Sequence, residues 1–156
     1  LEAMLAVFER LGGMQARAIA ERHWERPDAE AAEHYRRVCL PLYAREPLPP
    51  EVMGRALLRP EIAPRFYAGE EWRTFDLCAA APAIRCPTLV VSGSDDPVAP
   101  HAVAQELVTG LPAGLGRLET VPRGRHVLFR DAPETVHALA MEFVRAWWTE
   151  HDEVAA

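Results

Sequence analysis

Three observations in the second half of the chain predict an α/β fold. CPTLVVSG, residues 86–93, is a short continuous apolar run rich in β-branched residues, which suits a strand buried on both faces. GRLETVP, residues 116–122, alternates Leu118 and Thr120 with Glu119 and reads as a second strand. Between and after them stand helical segments. HAVAQELVTGL places Val103, Leu107 and Val108 on one face and stops at Gly110. APETVHALAMEFVRAWW carries Val136, Leu139, Ala140, Phe143, Val144 and Trp147 in one stripe, a long amphipathic helix whose Trp147 is expected to pack in the core. Strand, helix, strand, helix implies a parallel sheet covered by helices.

Residues 1 to about 80 carry helical signals and no convincing strand. LEAMLAVFERL sets Leu5, Phe8 and Leu11 on one face, and Gly12-Gly13 interrupts the pattern. MQARAIAERHW resumes it, Pro27 follows, and Asp28 is placed to cap the next helix, AEAAEHYRRVCL. Pro41, Pro47, Pro49, Pro50, Pro60 and Pro64 then predict short helices joined by tight turns. The chain therefore divides into a helical region, 1–80, and a strand-helix-strand-helix region, 81–156.

Bulk properties narrow the function. The 156 residues are 49% hydrophobic and 26% charged, an ordinary balance for a water-soluble globular domain. A net charge of −6 argues against a nucleic-acid partner. No apolar run approaches 18 residues and no signal-peptide pattern opens the chain, so neither a membrane partner nor secretion is expected. Cys39, Cys78 and Cys86 are odd in number and irregularly spaced, which predicts buried free thiols in a reducing, cytoplasmic compartment. His23, His34, His101, His137 and His151 fall in or beside helical segments, with no metal-ligand spacing, and read as surface or partly buried residues. Neither metal nor cofactor is expected.

In open α/β sheets, functional groups gather beyond the carboxyl ends of strands. Asp95 and Asp96 follow the first strand; Arg125 and His126 follow the second. Adjacent parallel strands bring those loops side by side. A carboxylate bonded to one imidazole nitrogen fixes the tautomer, and the other nitrogen can then move a proton. Asp96 is the candidate acid and His126 the candidate base. Asp95 is read as a solvent-facing neighbour. Arg123, Arg125 and Arg130 flank the histidine loop and read as solvated surface, with attraction of an acidic substrate as the alternative.

IRCPTLVVSGSDDPVAP followed by RLETVPRGRHVLFRDAPETV resembles the C-terminal part of the α/β-hydrolase fold. The matching pattern is an apolar strand, G-x-x-D and a nearby proline, then a helix, a strand and a G-H or G-x-H loop. Gly93-Ser94-Asp95-Asp96 fits it with Asp96 as catalytic acid, and Gly124-Arg125-His126 with His126 as catalytic base; Arg125 departs from the commoner glycine. FERLGGMQARAIAERHW and RRVCLPLY resemble the helical caps of proline-iminopeptidase-like members. The resemblance implies a Ser-His-Asp hydrolase acting on a small-molecule or peptide substrate, with Glu61, Glu70 and Glu71 as candidate holders of a substrate amine.

No G-x-S-x-G and no HGGG-type loop occur in the chain. Ser92 and Ser94 sit on or after the first strand, followed by Asp95-Asp96-Pro97 rather than by a helix. With Leu1 in place of a Met, the resemblance implies that the nucleophile, the oxyanion hole and the N-terminal sheet strands are absent from this chain. Alone it is expected to be inactive and poorly soluble. Three alternatives stand beside the aminopeptidase reading. One is an esterase or other small-molecule hydrolase. Another is an inactive, truncated hydrolase-like domain that only binds. The last is a phosphoacceptor or Mg²⁺ domain built on Asp95-Asp96, which the absence of any lysine disfavours.

Overall fold

In the computed structural model, the described residues are 1–47, 49–53, 55, 57, 59, 62, 65, 66, 69, 74 and 76–152. Helix α1 spans Glu2–Glu25 and bends at Gly13, whose φ of 73° lies in the left-handed region that glycine enters without steric cost. The interruption expected from Gly12-Gly13 is thus a kink within one helical element. Its apolar face buries Leu5, Phe8, Ala16 and Ala20 against Tyr35 and Cys39. Those last two come from the end of α2, Ala29–Val38, and the residue after it. Asp28 caps α2 as its position predicts: its side chain accepts a hydrogen bond from Ala31 N at 2.8 Å.

This helical cluster is aromatic. The Phe8 and Tyr35 rings meet edge to face, 5.8 Å apart. His23, expected to be surface or partly buried, is buried and stacks on Tyr35 at 4.4 Å. Burial pushes its pKa down and so favours the neutral ring. Burial also raises the Cys39 thiol to about 12. Cys78 is half-buried and Cys86 exposed, so of the three free cysteines only Cys39 matches the buried expectation.

Where they are described, the prolines sit in or beside short elements, while Pro60 and Pro64 lie outside the described residues. A 3₁₀ turn at Leu40–Tyr43 carries Pro41 near its start, α3 at Pro50–Met53 is a single turn, and a second 3₁₀ segment runs over Cys78–Ala83. Strand β1, Thr88–Gly93, pairs in parallel with β2, Gly116–Val121, in the register Thr88↔Gly116 to Gly93↔Val121. Helix α4, His101–Gly110, connects them. The fold class is therefore α/β, helix-rich, with a short parallel sheet of two strands among the described residues.

A second cluster covers the sheet. Val121, Leu128 and Val136 are buried, with Val91, Ala132 and Leu139 packed against them. Leu128 belongs to the short α5, Leu128–Asp131, and Val136 to α6, Pro133–Asp152. Two expectations are corrected here. Thr88–Val91 are only half-buried, and full burial begins at Ser92. The stripe of α6 is buried at Val136 but not at its far end, where Val144 and Trp147 are exposed. A helix 20 residues long overruns a two-stranded sheet whose strands are six residues each, so its last turns extend past the described strands. No helix among the described residues is long and apolar enough to cross a membrane.

Candidate active site

The two strands end level, and their hydrogen bonding continues into the loops beyond. Ser94 N donates to Val121 O at 3.1 Å, and Asp95 N to Gly124 O at 2.9 Å. The acid loop and the histidine loop are therefore zipped together as an extension of the sheet. Only glycine allows so close an approach at position 93. A Cβ there would stand 2.2 Å from Gly124 O, the same oxygen that accepts from Asp95. We expect Gly93→Ala to part the loops and cost about 1–3 kcal/mol, read by chemical denaturation, with a loss of the Asp96–His126 bond seen in the histidine ring resonances.

That bond is the centre of the site. Asp96 is 6% exposed and uses its two oxygens differently. Oδ1 accepts from Val98 N at 2.8 Å and Ala99 N at 2.9 Å, which closes the turn around the buried Pro97. Oδ2 is left to face His126 Nδ1 at 3.1 Å. The His126 side chain is 39% exposed. The two candidates found in the sequence, 30 residues apart, are thus brought together with the imidazole partly exposed.

Asp95 is not the solvent-facing neighbour expected of it. Its Oδ1 pairs with Arg10 of α1 at 2.7 Å and ties the helical half to the acid loop. No local signal announces a pair 85 residues apart. The two serines are both engaged elsewhere. Ser92 is buried with its hydroxyl 3.0 Å from His101 Nδ1, a nitrogen also reached by Thr120 at 3.2 Å. Ser94 Oγ accepts from Arg123 N at 2.8 Å. Arg123 has φ of 57°, a left-handed conformation unusual for a side-chain-bearing residue, at the turn that leads into the histidine loop.

Arg125 and Arg130 are not merely solvated either. They donate to main-chain carbonyls of residues 44, 46 and 47. Glu61, Glu70 and Glu71 lie outside the described residues. Among the described residues, no three His, Cys, Asp or Glu side chains gather as a metal-ligand set.

The model of a protein family described as serine aminopeptidase, S33, matches residues 56–133, half of the chain, and includes both Asp96 and His126. The chain belongs to that family. Membership of the S33 serine aminopeptidases places the two-stranded sheet within the α/β-hydrolase superfamily and makes the chain a hydrolase by kinship. No curated protein and no solved structure matches the chain.

Proposed function

We propose that Asp96 and His126 are the acid and base of a Ser-His-Asp triad, and that the substrate is a small molecule or peptide with a free amine. The observation that carries this reading is the 3.1 Å contact between Asp96 Oδ2 and His126 Nδ1, with Asp96 Oδ1 already held by two backbone N–H groups. Asp96 so held keeps the proton on Nδ1. Nε2 then accepts the proton of a serine hydroxyl as it attacks the scissile carbonyl, and returns it to the leaving group. The imidazolium formed in between is stabilised by the buried carboxylate. The 156 residues contain no G-x-S-x-G, so the nucleophile is not among them. That same absence favours a second reading, a hydrolase-like domain that binds without turnover.

The test is hydrolysis by the full-length gene product of amino-acid anilides with a free amine, of their N-acetylated counterparts and of simple esters. Cleavage of the free-amine anilides alone, lost in His126→Ala, supports the aminopeptidase. Ester cleavage without an amine preference assigns the esterase alternative. Turnover that survives His126→Ala removes the triad reading, and binding with no turnover in the wild type assigns the non-enzymatic one.

A further inference from the structure

A strap from the helical half lies along the histidine loop. Tyr43 O accepts from Val127 N at 3.2 Å, and Ala44 O from the Arg125 guanidinium at 2.7 Å. Arg45 N donates to Asp131 Oδ1 at 3.0 Å, and Glu46 O and Pro47 O accept from Arg130. Asp131 is the hub, because its second oxygen accepts from Arg125 N at 3.1 Å. One carboxylate thus bridges the residue next to His126 and the strap. The strap in turn touches the base: the Tyr43 ring stands edge-on to the His126 imidazole, centroids 5.2 Å apart. Tyr43 is braced from behind by the hydroxyl of the buried Tyr35 at 2.7 Å.

We propose that Asp131 and Arg125 are positioning residues that clamp the Tyr43–Pro47 strap to the histidine loop and so hold the His126 ring in its working orientation. The inference rests on the triad reading above. A half-exposed imidazole anchored at Nδ1 can still swing about its side-chain torsions. The Tyr43 ring removes that freedom from the side, and the clamp keeps Tyr43 in place. Misplacement of a catalytic base by about an ångström can lower turnover roughly a hundredfold. The clamp also explains the departure of Arg125 from glycine: the side chain is needed to reach Ala44 O.

The test compares Asp131→Asn, Arg125→Leu, Arg125→Lys and Tyr43→Leu in the full-length gene product, measuring kcat, KM and the His126 ring resonances. Asn keeps one acceptor but sets an N–H₂ group against a donor. We expect Asp131→Asn and Arg125→Leu to lower kcat by about tenfold to a hundredfold with KM within about twofold, and to speed exchange of the Nδ1 proton with water. Arg125→Lys retains a donor and should recover most of the rate. Unchanged kcat and ring resonances in both variants, or a change in KM alone, would overturn the proposal. If Asp131→Asn fails to fold, Arg125→Leu and Tyr43→Leu carry the same test with the carboxylate intact. Turnover that persists in His126→Ala defeats the triad reading instead, and the proton-exchange measurement still decides whether the strap orders the ring.

Discussion

Asn in place of Asp96 is expected to lower turnover by about 10³- to 10⁴-fold while leaving the fold intact. The substitution is nearly isosteric, and the geometry dictates how the amide sits. Val98 N and Ala99 N both donate to one oxygen of residue 96, so the amide oxygen takes that place. The amide NH₂ then faces His126 Nδ1, which must become an acceptor. The ring proton moves to Nε2, and Nε2 can no longer take a proton from a serine. Steady-state kinetics with ¹⁵N resonances of the His126 ring check both halves of this expectation. Turnover within about threefold of wild type, with the tautomer reversed, would mean that His126 is not the base.

Loss of the Phe8 ring is the largest effect expected on stability. Phe8 is fully buried, and its core cluster includes Ala16 and Ala20, which cannot extend to fill the space. Phe8→Ala should therefore leave most of a ring-sized cavity and cost about 3–5 kcal/mol, seen as a lower denaturation midpoint at unchanged m-value. The same change removes the edge-to-face contact with Tyr35, which braces Tyr43 through their hydroxyls. A cost below about 1 kcal/mol would show that the α1–α2 cluster collapses around the gap or contributes little to the cooperative fold.

What could be read from the sequence were the features set by short-range patterns. The apolar runs at 86–93 and 116–122 and the helical stripes at Leu5, Phe8 and Val136 are local periodicities, and each became the element it predicts. Asp28 announced its cap because a capping side chain bonds within three residues of itself. Asp96 and His126 could be paired in advance because parallel strands end side by side, which turns a separation of 30 residues into a rule of topology.

Tertiary structure alone decided the rest, because those contacts join segments with no periodic relation. Arg10 meets Asp95 and Asp131 meets Arg45, each across more than 80 residues, and nothing in the composition of either partner marks it. Burial of α6 was decided in the same way: the stripe from Val136 to Trp147 is written along the whole helix, but among the described residues Val136 is buried beside the sheet while Val144 and Trp147 are exposed. The sequence by itself determined an α/β unit with a carboxylate and a histidine at adjacent strand ends. Packing of the helical half against those loops decided which groups lie around the histidine, because hydrogen bonds to main-chain atoms leave no signature in the identity of the residue that accepts them.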